Sequence, residues 1–162
     1  MKKIFSILFI THLLIGSSYA ASSSSSNTKT VVSNYDKAVK LIKFAKKYEK
    51  KGKVEKANKR YQKAVELLLK SNKKKPNNAD ILNYLGFATR KLGDFKKGEE
   101  YYLEGLAIEP DHIGINEYLG ELYVATNRVD LAKERLEILK GCNCDEYKEL
   151  KEIIDGTKKS KY

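Results

Sequence analysis

Apolar residues recur along most of this chain three or four positions apart, with polar residues between them, which is the signature of amphipathic helices. Leu82, Leu85, Gly86 and Thr89 follow one helical face; Phe95, Gly98, Tyr102, Gly105 and Leu106 follow a second. Gly93-Asp94 separates the two stripes, the glycine ending one helix and the aspartate capping the next. Pro110 closes the pair, because proline cannot extend a helix. Residues 113–146 keep the same phase, with Leu119, Gly120 and Tyr123, then Val129, Ala132, Leu136 and Leu139. Asn83-Tyr84-Leu85-Gly86 returns 34 residues later as Glu117-Tyr118-Leu119-Gly120, and Pro110-Asp111 returns as Cys144-Asp145. Gly86 and Gly120 sit mid-helix, each at a cost of about 1 kcal/mol. Their matching phase predicts close helix–helix approach.

An earlier unit begins near Ala38. Leu41, Phe44, Ala45 and Tyr48 form its first stripe, Gly52 turns the chain, and Val54, Ala57, Tyr61, Ala64 and Val65 form its second. Gly52 and Gly93 are 41 residues apart, seven more than the period. Seven residues are about two helical turns, so Leu67, Leu68 and Leu69 are predicted to lengthen the second helix without rotating its buried face. A strict 34-residue register, pairing Pro76 with Pro110, would instead put Lys51 at the position of Leu85.

The pattern Leu-Gly-x-x-Tyr/Thr, Gly-Asp-Phe, small residue, aromatic, small residue, Pro resembles the tetratricopeptide repeat. The resemblance covers about 38–146, as three repeats at 38–78, 79–112 and 113–146, with Gly standing where Ala is usual. The whole chain is similar to small exported bacterial proteins of this type. The resemblance implies an all-α, right-handed α-solenoid of three helix pairs, with a concave groove lined by the first helices. Its ligand-facing positions fall at Ile42, Lys46 and Lys50; at Asn83, Phe87 and Arg90; and at Glu117, Glu121 and Val124. Phe87 is the expected anchor, and packing of Phe87 against the lengthened helix or the leader is the alternative. The groove lacks the Lys/Asn/Arg arrangement of repeats that clamp a terminal carboxylate.

The ends of the chain read differently. Residues 1–20 look like a secretory signal: Lys2 and Lys3, an apolar run from Ile4 to Ile15, then Ser18-Tyr19-Ala20 as a cleavage site. The run is short of the roughly 20 residues a spanning helix needs. Cleavage near Ala20 and a periplasmic or secreted product are therefore expected. Residues 21–33 are a Ser-rich flexible leader, and 34–156 the repeat domain. A capping helix is expected at about 144–155, with Asn143 and Glu146 as a capping box and Tyr147, Leu150, Ile153 and Ile154 as its apolar face. Residues 157–162 should fray.

Charge and chemistry narrow the reading further. The full chain carries a net charge of +11. Residues 29–75 hold 17 Lys/Arg against 4 Asp/Glu, whereas residues 76–162 hold 13 against 17, so the molecule is bipolar. The basic half is either a solvated lysine-rich face or a contact for an acidic partner or a membrane surface; export argues against nucleic acid. His112 is the only histidine beyond residue 20 and reads as a helix-start residue. No nucleophile–base spacing, His-Glu-x-x-His motif or phosphate-binding loop appears, so neither an enzyme, a cofactor nor a metal site is expected. Cys142 and Cys144, the two cysteines, form a local disulfide, remain reduced as small apolar fillers, or belong to a thiol or metal site. The functional expectation is a scaffold binding a protein or peptide segment. A structural subunit of an envelope assembly and a thiol- or metal-handling protein are the alternatives.

Overall fold

Seven helices account for most of residues 32–160, the part of the chain described by the computed structural model: α1 (Asn34–Glu49), α2 (Val54–Lys74), α3 (Ala79–Lys91), α4 (Phe95–Ile108), α5 (Ile113–Ala125), α6 (Val129–Leu139) and α7 (Asp145–Ile154). The signal segment at 1–20, most of the leader and the last two residues lie outside the described region. Among the described residues no helix is long and apolar enough to cross a membrane. The helices pair as three hairpins, α1–α2, α3–α4 and α5–α6, and α7 packs on α5 and α6.

Local chemistry starts and stops each helix. Ser33 caps α1 through a reciprocal box in which the Asp36 amide donates to Ser33 Oγ at 3.1 Å and the Ser33 amide donates to Asp36 Oδ2 at 3.3 Å. Asn78 and Asp94 accept at 2.9 Å from the third amides of α3 and α4. At α5 the cap is His112, whose Nδ1 accepts from the Ile115 amide at 3.2 Å. The turn inside each hairpin needs a left-handed residue, which Gly52 (φ 67°), Gly93 (φ 94°) and Asn127 (φ 60°) supply. Asn127 stands 34 residues after Gly93, the same turn made with a different residue.

Helix α2 has 21 residues and α4 has 14, so the extra seven residues before Gly93 are two added turns of α2. Leu68 and Ser71 continue the buried stripe of Ala57, Tyr61 and Ala64 through those turns. The α1–α2–α3 core holds Ala38, Ile42, Ala45, Leu82, Leu85 and Phe87 with that stripe, and a second core holds Tyr102, Ile115, Leu119, Leu122 and Ala132.

Gly86 and Gly120 mark close approaches by different partners. A Cβ on Gly86 would stand 2.5 Å from Cε1 of Tyr102 on α4. On Gly120 it would stand 2.5 Å from Cδ2 of Leu150. The capping helix, not α6, therefore fills the second notch, and it seals the stack with Leu150 and Ile153.

One expectation at this end is corrected. The capping box between Asn143 and Glu146 does not form, because the cap residue is Cys144 and its side chain makes no cap hydrogen bond. Asn143 lies one position too early, held at φ 49° between two bonded cysteines. Gly156 turns at φ 73°, and the amides of Thr157 and Lys158 donate to the Glu152 carbonyl at 3.0 and 3.1 Å.

Candidate functional site

The first helices of the three hairpins are neighbours, α1 on α3 and α3 on α5, so their faces form one surface across all three repeats. Ile42, Lys46 and Lys50 follow one line on α1, Asn83, Phe87 and Arg90 one on α3, and Glu117, Glu121 and Val124 one on α5. The structure brings these residues together, but it buries the middle of the set. Phe87 and Arg90 are each 1 % exposed, Glu121 is 0 % exposed, and Asn83 and Glu117 are buried beside them. Ile42 belongs to the core. Only Lys46, Lys50 and Val124 reach solvent.

Phe87 is therefore not an open anchor. Its ring lies 6.0 Å from Tyr61 of the lengthened α2, edge-on, and 4.9 Å from Tyr118 of α5. Lys46 covers it from α1, with Nζ 4.2 Å above the ring, and donates to the Tyr118 hydroxyl at 3.2 Å. One residue from each repeat thus meets at this point. Packing took the ring because three hairpins converge on it, and an aromatic face there gains both apolar burial and a cation.

Beneath Phe87 lies a buried charged layer. Arg90 donates from Nη1 to the Tyr118 carbonyl at 2.6 Å and from Nη2 to Glu121 Oε2 at 3.3 Å. Its guanidinium carbon is 5.7 Å from the rings of Phe87 and Tyr102 and 5.4 Å from that of Tyr118. Burial draws the Arg90 pKa below its ordinary value, and Tyr102, Glu121, Tyr118 and Glu117 oppose that. The Tyr102 and Tyr118 hydroxyls are both pushed above the usual tyrosine value, first by burial. Glu117, Glu121 and Glu149 of α7 bring carboxylate oxygens within 4.8 Å of one another. That trio has the donor chemistry for a hard cation, but the Arg90 guanidinium stands on Glu121 and Lys158 Nζ lies 3.1 Å from Glu149. Two of the three carboxylates thus already face cations of the protein itself.

Tyr118, Tyr102 and Glu149 join this layer from outside the ligand-facing positions that the repeat resemblance implies. Tyr118 lies inside the repeated Tyr-Leu-Gly, so the echo itself was a usable signal. Nothing local marked Glu149, which arrives on the capping helix from 28 residues beyond Glu121. Cys142 and Cys144 are joined as a disulfide at the turn before α7, which occupies both sulfurs. His112 Nε2 lies 3.4 Å from Asp80 Oδ1, a contact between the starts of α3 and α5.

Comparison with known proteins gives limited likeness. No family model matches the chain. The Sol locus transcriptional repressor of Clostridium acetobutylicum is 38 % identical over 77 residues, covering 45 % of this chain. The match spans only 24 % of that repressor's length. Among solved structures, the first tetratricopeptide domain of Spaghetti (RPAP3), bound to an HSP90 peptide, aligns with a TM-score of 0.48 at 22 % identity, over 78 % of this chain and 98 % of that one. The tetratricopeptide domain of Arabidopsis OM64 has a TM-score of 0.48 at 15 % identity, over 77 % and 99 %. The CopN–Scc3 complex gives 0.43 at 17 %, over 82 % and 80 %. The fold reading stands on the chain's own hairpins, on their 34-residue recurrence and on left-handed turns at matching positions. On those grounds residues 32–160 form an all-α stack of three helix hairpins closed by a capping helix, the architecture that the resemblance to tetratricopeptide repeats implies.

Proposed function

We propose that this chain is an exported scaffold that holds a protein or peptide segment along the joined faces of α1, α3 and α5. One observation carries the reading: Lys46, Phe87 and Tyr118, one from each repeat, lock together and make that face a single preformed surface. A preformed surface spends little free energy on ordering when a segment lands on it. Lys50 stands exposed at its rim and suits carboxylate or carbonyl groups of the segment. Asn83, Phe87, Arg90, Glu117 and Glu121 support it from beneath.

A second reading, a subunit of an envelope assembly, rests on a different observation. Leu69 and Leu103 stand 34 residues apart on α2 and α4 and are 44 % and 48 % exposed. Leu69 lies in the added turns of α2 and Leu103 on α4, so two of the second helices each offer an exposed apolar side chain.

Photo-crosslinking in the native host separates the two. Adducts with protein from a probe at Lys50 support the groove; adducts from probes at Leu69 and Leu103 alone support the assembly. No protein adduct from any of the three positions overturns both. Export is read separately, from the mature N-terminus by mass spectrometry. A chain starting at Ala21 is expected, and an intact Met1 would refute it.

A further inference from the structure

Helix α1 turns one side away from the stack. Among the described residues it packs on α2 and α3 and buries Ala38, Ile42 and Ala45. The opposite side carries Lys37, Lys40, Lys43 and Lys47, spaced so that they share a face. None of the four is paired with a carboxylate in the described structure. Phe44 lies among them, 43 % exposed, with Lys47 Nζ 5.8 Å from its ring centre. A shallow depression lined by Leu41, Phe44, Tyr48 and Arg60 joins this face to α2, and a second continues past Lys56, Lys59 and Lys63. The basic surface therefore spans two helices.

We propose that this α1–α2 face docks on an anionic lipid bilayer, its lysines over the headgroup phosphates and the Phe44 ring at the boundary with the acyl chains. Three features favour a bilayer over an acidic protein segment. Apart from Arg60, the basic residues of 29–75 are all lysines, which act as hydrated point charges suited to a diffuse field, whereas directional carboxylate recognition favours arginine. An exposed aromatic on a basic helical face is how interfacial helices hold a membrane surface. The depressions are open and shallow, fitting an extended surface better than an inserted side chain.

The magnitude follows from the charges. A lysine held near an anionic leaflet contributes ~1 kcal/mol, which is about fivefold in partitioning. Combining Lys40→Gln, Lys43→Gln and Lys47→Gln should therefore weaken binding roughly 100-fold. Phe44→Ala should weaken it about fivefold through lost apolar contact.

The test is co-sedimentation of the chain from Ala21 onward with phosphatidylcholine vesicles, with and without phosphatidylglycerol. The expected result is binding only to the mixed vesicles, lost as salt rises, and reduced in both variants while their thermal melts stay unchanged. Failure of the wild-type chain to bind mixed vesicles at low salt overturns the proposal. So does equal binding by the triple variant. Lysine-dependent capture of a polyglutamate peptide without vesicle binding would assign the face to an acidic protein segment instead. None of these outcomes depends on the groove reading.

Discussion

Arg90→Met is the sharpest perturbation of the charged layer. The substitution keeps an unbranched side chain of similar length and removes the guanidinium, which is 1 % exposed, donates to the Tyr118 carbonyl and pairs with Glu121. Glu121, 0 % exposed, would then sit in the stack without its guanidinium partner. Breaking a buried pair from one side costs about 3–5 kcal/mol, and the lost hydrogen bond to the Tyr118 carbonyl adds ~1 kcal/mol. For a domain of this size each kcal/mol lowers the melting temperature by about 3–5 °C, so a fall of roughly 12–30 °C is expected. Circular dichroism melts and urea titration at neutral pH read it. Arg90→Met combined with Glu121→Gln should recover part of the loss, with a coupling of at least ~1 kcal/mol between the two sites. Arg90→Lys should recover little, since an ammonium cannot make the two divergent bonds and lie among three rings. A drop of under about 2 °C in Arg90→Met, or strictly additive effects in the double variant, would refute the reasoning.

Other predictions test other parts of the stack. Phe87→Ala should cost ~3–5 kcal/mol of unfolding free energy, because the ring is buried between Tyr61 and Tyr118; an unchanged melting temperature would return Phe87 to the role of an exposed anchor. Gly86→Ala should destabilise by about 1–2 kcal/mol even though alanine is the better helix former, since the clash with the Tyr102 ring outweighs the ~1 kcal/mol propensity gain; a rise in stability would contradict that. Stability should hold up to about pH 10 and then fall. Burial raises Tyr35 from 10.0 to about 12 and raises Tyr61, Tyr102 and Tyr118, so the unfolded chain gives up these protons first as pH rises. Tyrosinate absorbance should show these phenols titrating together with unfolding, and independent titration in the folded state would refute it. Thiol titration of the oxidised chain should find no free thiol, and Cys142→Ser should cost no more than about 1.5 kcal/mol, because the closed loop is only three residues long.

Most of the architecture was legible because it is written locally. Apolar spacing, Gly52, Gly93, Asp94 and Pro110 mark the helices and turns, and the seven-residue slip before Gly93 reveals the lengthened α2. Each of these signals acts within a few residues of itself, through backbone preference or helical period. The site was legible only as a set of positions. Lys46, Phe87, Arg90 and Glu121 do share one surface, but whether that surface is open or filled depends on how closely the hairpins stack. Partners of Arg90 come from 28 and 31 residues away, and the cluster gains Glu149 from the capping helix. A lysine, an aromatic and a glutamate read identically in sequence whether they face a ligand or one another. The sequence by itself determined the repeat, its turns and its uneven charge, since these follow from local periodicity and composition. Only the tertiary structure decided that the centre of the groove is packed with its own cation, rings and carboxylates, because burial is set by neighbours that the chain brings in from other repeats.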